Sequence, residues 1–161
     1  MDKSIYAERF IEHFPLNGDL LSKVLRGHLL VEEVLNDIFK SILHYPEDLS
    51  GNSGTRLDCH QVICITSAMC KEGHFTKERL DHIWVSVKKL NSLRNHLAHK
   101  IPRSEIAHKV DDFISYVQTN LNSPELEPPM QDTDYPQLYD SILTVHVWLS
   151  VLKSSLSNKE E

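Results

Sequence analysis

Glycine is scarce in this chain of 161 residues, with five in all, at positions 18, 27, 51, 54 and 73. No Gly-rich phosphate loop can be built from them, which excludes nucleotide sites of the P-loop and dinucleotide-binding kinds. Cysteine is scarcer still. The three (Cys59, Cys64 and Cys70) are odd in number and close together, so a secreted disulfide scaffold is excluded. No apolar run approaches the roughly 18 residues of a membrane span, and Met1-Asp2-Lys3-Ser4-Ile5 lacks the basic-then-apolar pattern of a signal peptide. A surplus of positive charge is also missing. The formal net charge is −6, against a protein that coats nucleic acid by bulk charge. With 40% hydrophobic and 25% charged residues, the expectation is one cytoplasmic globular domain spanning 1–161.

The average charge hides an asymmetry. Residues 71–110 hold nine Lys/Arg, four Asp/Glu and five of the ten histidines, so a local +5 sits in an otherwise acidic chain. Ordinary solvated helix faces explain such a window, and so does an anion site for phosphate or RNA.

Hydrophobic periodicity is helical nearly throughout, with no period-two alternation, internal repeat or low-complexity tract. Helices are expected over about 3–13, 19–44, 56–71, 77–100, 105–121 and 136–156, with Thr76 and Ser104 as N-caps. Residues 45–55 read as a loop around Ser-Gly-Asn-Ser-Gly. Residues 122–135, acidic and Pro-rich, read as an irregular connection, and residues 157–161 as a polar tail. The fold class is therefore all-α, a single-domain bundle of five to six helices with its core at about 15–156.

The helix expected over about 77–100 is the informative one. On a wheel its apolar residues Leu80, Ile83, Val87, Leu90, Leu97 and Ala98, with Leu93 and Trp84 at the edges, span an arc of about 180°, and Arg94 falls in the middle of it. A guanidinium there must snorkel, pair with an acid, or point into a cavity or a subunit interface. Asn91, Asn95 and His99 form a polar ridge beside the arc, at i, i+4 and i+8. On the long helix before it, His28 lies inside the apolar arc and reads as a core histidine satisfied by a hydrogen bond. Glu32 lies at the edge of that arc and is the candidate ion-pair partner of Arg94.

The stretch Leu93-Arg94-Asn95-His96-Leu97-Ala98-His99 reads R-N-x-x-x-H. It resembles the R-x4-6-H signature of HEPN-domain proteins. The preceding Trp84-Val-Ser-Val-Lys-Lys-Leu-Asn-Ser-Leu and the upstream Gly27-His-Leu-Leu-Val-Glu-Glu-Val-Leu-Asn are similar to the helices that surround that signature. The resemblance covers residues 15–120 or so and implies a helical bundle that dimerises through the motif helices. It also implies a metal-independent endoribonuclease of toxin or antiphage-defence type, with no cofactor, or else a relative that has lost catalysis and binds a protein or an anionic ligand. By the resemblance, His99 transfers protons, Arg94 holds the phosphoryl group and Asn95 orients the phosphate or the histidine. His96 is the competing histidine, and Asn91 and Glu32 support the site. The tyrosine that some members carry two residues after the histidine is Ile101 here, so modification at that position does not carry over.

The chemistry suits these residue types. Metal-free RNA cleavage needs a proton acceptor for the 2′-hydroxyl, an acid for the leaving 5′-oxygen and a cation for the charged phosphorane. Histidine titrates near neutral pH, and the planar donors of arginine grip two phosphate oxygens. Within one helix, five residues separate Arg94 from His99 by about 7.5 Å of rise and about 140° of rotation. A two-fold homodimer brings two of each into one cleft. Lys88, Lys89, Lys100 and Arg103 are candidates for guiding the RNA backbone. The chain ends soon after its helical domain, so a separately encoded antitoxin or sensor is the expected partner, with no membrane. No metal is expected, because the spacing of His60, Cys64, Cys70 and His74 fits no common zinc finger. A third reading makes Arg94 and Glu32 a purely structural tie.

Overall fold

A computed structural model describes residues 4–15, 17–49, 56–99, 102–124 and 135–157. The protein is an all-α helical bundle. Among the described residues the α-helices in chain order are α1 (Ser4–His13), α2 (Leu20–Ile42), α3 (Cys59–Met69), α4 (Lys77–Ala98), α5 (Arg103–Asn120) and α6 (Pro136–Ser157). Among the described residues there is no strand, and no helix is long and apolar enough to cross a membrane.

Local chemistry sets the helix starts. Asp19 caps α2 by accepting from the Ser22 N–H at 2.8 Å. Asp58 and Gln61 form a reciprocal capping box on α3, and Thr76 caps α4 as its sequence suggests. The expected cap of α5 is corrected. Ser104 lies inside the helix, and Pro102 is the N-cap, with no side-chain cap bond. Proline fixes φ and carries no N–H to leave unsatisfied, so the helix starts directly after it. Part of the expected 45–55 loop is a turn of 3-10 helix at Pro46–Leu49. Gly73 takes φ 63° in the turn between α3 and α4, a left-handed conformation that favours glycine.

α6 is the central element. Leu138, Ile142, Val145, Leu149 and Leu152 are buried, and so are Leu143, Val147 and Val151 on its other faces. A helix apolar all round belongs in the middle of a bundle. α2 packs along it, α1 and α5 cover other sides, and α3 and α4 complete the ring. The α2–α6 approach is close at Gly27, where a Cβ would stand 2.9 Å from Ile142 Cγ2. Phe10 and Phe14 stack at 5.0 Å, and Phe14 meets Tyr139 edge-on at 5.1 Å, which docks α1 on α6.

α4 buries Leu80, Ile83, Trp84, Val87, Leu90 and Leu93, as its apolar arc predicts. The cover thins over its last turns. Leu93 is fully buried, Leu97 is partly covered, and Arg94 and Ala98 are exposed.

Candidate functional site

Three helices supply the site. α2 carries His28 and Glu32 one turn apart, α4 carries Asn91, Arg94 and Asn95, and α3 presents Cys59 as its first residue. His28 is buried, and its Nε2 lies 3.1 Å from Asn91 Oδ1. A carboxamide oxygen only accepts, so the imidazole donates from Nε2 and its lone pair is on Nδ1. Nδ1 faces Glu32 Oε2 at 3.6 Å, and Cys59 Sγ stands 3.7 Å from Nε2.

Burial pushes the His28 imidazole below the usual histidine range. Glu32 and the Asn91 hydrogen bond act the other way, and the Arg94 charge adds to the lowering. Burial also pushes the Cys59 thiol up to about 12. Glu32 reinforces that rise and Arg94 opposes it. Burial therefore favours the uncharged imidazole and thiol beside Glu32, with the Arg94 guanidinium at the edge of the cluster.

Glu32 is not the ion-pair partner of Arg94, contrary to expectation. Glu32 turns inward to His28, while Arg94 Nη1 donates to Asn95 Oδ1 of its own helix at 3.0 Å. Among the described residues no carboxylate lies within ion-pair distance of Arg94. The physical reason is the thinning cover of α4, which leaves the guanidinium in solvent with no need of a buried counter-charge. His28 behaves as expected, as a buried histidine with its hydrogen bond made. Asn91, expected on the polar ridge, is its partner and is buried.

The other motif residues lie outward. His99 is the C-cap of α4 and is exposed, with its backbone N–H bonded to the His96 carbonyl at 3.3 Å. His96 is half-buried and donates from Nδ1 to the Ser92 carbonyl at 2.7 Å, which ties it to its own helix. No contact joins Arg94 to His99 within one chain among the described residues.

The basic residues divide. Lys89 pairs with Asp112 of α5 at 2.6 Å and lies 5.3 Å from the Tyr116 ring. Lys88 is half-buried. Arg103 is exposed and lines a groove of about 670 Å³ with Leu21, Leu97, Ile106 and Tyr135. Lys100 and Ile101 lie outside the described residues, as does 125–134 of the Pro-rich connection.

Of the cysteine and histidine set around α3, only His60 and Cys64 are neighbours, with Nε2 to Sγ at 3.6 Å. Sequence reasoning missed Cys59, whose thiol joins His28 and Glu32 of a different helix. The available signal was the Asp58 cap, which starts a helix at that cysteine and so turns its first residue toward whatever the helix end abuts.

A second feature sits beside the cluster. Leu21, Leu25 and Leu29 of α2 are exposed at 41, 37 and 46%, one turn apart on a strip that Glu32 continues. No family model matches the chain, and searches of curated proteins and of solved structures return no match.

Proposed function

We propose that the protein is a metal-independent endoribonuclease of toxin or defence type, active in the cytoplasm as a homodimer. The observation that carries this reading is the pairing of an exposed Arg94, on the face of α4 that is apolar elsewhere, with the exposed Leu21–Leu25–Leu29 strip of α2. Solvent-facing leucines in register along one helix are suited to burial against a second copy. Such a dimer sets the Arg94 and His99 of two chains in one cleft, which the spacing within one chain does not.

In that cleft His99 takes the proton of the 2′-hydroxyl as the 2′-oxygen attacks phosphorus. The partner histidine protonates the departing 5′-oxygen. The two Arg94 guanidinium groups hold the phosphorane charge through paired N–H donors. Asn95, bonded to Arg94, sets the guanidinium plane. His96 is the weaker candidate because its Nδ1 is committed to a backbone carbonyl. Arg103 and Lys88 remain candidate backbone guides, and a separately encoded antitoxin or sensor supplies control. RNA, not a membrane, is the partner.

One observation favours a second reading. With Lys89 tied to Asp112, the cationic surface around Arg94 is sparser than an RNA track requires. A catalytically silent module of the same shape would use Arg94 to bind a protein carboxylate or other anion. The structural-tie reading loses its basis, since Arg94 and Glu32 are not paired.

The test is cleavage of total cellular RNA by the purified protein in EDTA, beside Arg94→Ala and His99→Ala. Cleavage by the wild type alone supports the nuclease. Folded, inactive wild type together with loss of partner binding in Arg94→Ala supports the silent module.

A further inference from the structure

The His28–Glu32–Cys59 cluster contains a mismatch. Asn91 Oδ1 occupies the Nε2 proton of His28, so Nδ1 turns a lone pair toward the Glu32 carboxylate at 3.6 Å. Two acceptors facing one another across that gap repel unless a cation or a proton lies between them. A cation held between them satisfies both, with the Cys59 thiol close enough to join as a third ligand.

The ligand atoms suit one. Those of His28, Glu32 and Cys59 all lie within 4.8 Å of one another. Zinc bonds of about 2.0–2.3 Å place tetrahedral ligands roughly 3.3–3.8 Å apart, so small side-chain rotations close the set. The donors are held by structure. His28 and Glu32 are one turn apart on α2, and Cys59 is fixed by the capping box at the start of α3. Asn91, from α4, already holds the second imidazole nitrogen, which is how a metal-bound histidine is usually oriented.

We propose that His28, Glu32 and Cys59 form a binding site for a borderline-soft divalent cation, Zn2+ in type, with Asn91 as the outer support of His28. Binding replaces the Cys59 thiol proton with the metal and releases it to solvent. The thiolate and the carboxylate together balance the charge of the ion. The ion ties α2 to α3, and through Asn91 to α4, next to Arg94. This inference does not rest on the nuclease reading, and its test reads metal rather than RNA.

The test uses Co2+ as a spectroscopic probe on the full chain, stripped of metal under reducing conditions. The expected result is one Co2+ per chain with a thiolate-to-cobalt charge-transfer band in the near ultraviolet, displaced by one equivalent of Zn2+. Cys59→Ser removes the band, while the His60→Ala/Cys64→Ser double variant keeps it. Asn91→Ala keeps the band and weakens binding about 10- to 100-fold. Zn2+ raises the Tm of the wild type and not that of Cys59→Ser, with circular dichroism confirming that both are folded. A folded wild type with no charge-transfer band overturns the proposal, and so does a band that depends on Cys64 rather than Cys59.

Discussion

Acid should weaken this fold through one buried histidine. His146 lies on the central helix α6, 2% exposed and 5.3 Å from the Phe10 ring centroid, and no well-formed hydrogen bond holds either ring nitrogen. Burial brings its pKa from 6.5 down to about 4. The nearby Glu33 carboxylate and the Tyr6 backbone pull it up a little, and Arg9 pushes it down. Arg9 and Glu33 pair with each other at 2.8 Å, so their effects on the ring largely offset. The folded state therefore keeps His146 neutral where the unfolded chain binds a proton. Stability from this group is complete above pH 6.5 and falls as pH drops toward 4. This displacement from the ordinary histidine value corresponds to about 3 kcal/mol, most of which is lost by pH 4.5. Urea unfolding of the wild type and His146→Leu at pH 7.0 and 4.5 measures it. The two proteins should differ in their loss between those pH values by about 2 kcal/mol or more, with the wild type losing more. Equal losses would refute the reasoning, because other carboxylates and histidines contribute alike to both.

Other substitutions test the packing and the surface. Gly27→Ala should cost about 1–3 kcal/mol in chemical denaturation, since its Cβ would stand 2.9 Å from Ile142 Cγ2 in a closed core. Asp58→Ala should lower stability by about 1 kcal/mol through the lost cap of α3. If the proposed dimer forms through the leucine strip, Leu25→Glu should leave circular dichroism nearly unchanged and sediment as a monomer where the wild type sediments as a dimer. A dimer that persists would place the interface elsewhere than the exposed leucine strip.

The fold was legible because helical periodicity and caps act locally. Asp19 and Thr76 each start a helix through a side-chain bond three residues on, the prolines set boundaries by lacking an N–H, and α4 buries its apolar arc as far as Leu93. Ser104 misled because a serine that can cap was outranked by Pro102, whose fixed φ is already suited to starting a helix. The site was legible only in part. His28 and Asn91 were each placed on a face, but their pairing depends on the rotation of α2 against α4, which no periodicity carries. The wheel sets Arg94 inside the apolar arc because it assumes equal cover along the helix, whereas cover ends near Leu93. Cys59 was invisible for a related reason. Its partners are brought to it by the docking of α3 on α2, and one thiol in a sequence holds no record of that contact. His146 hid within an apolar run, where a single polar residue leaves the pattern unchanged.

The central claim is that the reacting groups come from two chains, and subunit complementation tests it most directly. Arg94→Ala and His99→Ala proteins, each inactive alone, are mixed, exchanged into mixed dimers and assayed for RNA cleavage in EDTA. A mixed dimer holds one intact Arg94 and one intact His99 from different chains, so the 2′-hydroxyl is still activated while water replaces the missing acid, and cleavage should return about 100-fold or more below the wild-type rate but above either variant alone. Mixed dimers that form, as verified by native mass spectrometry, and yet cleave nothing would contradict the composite site.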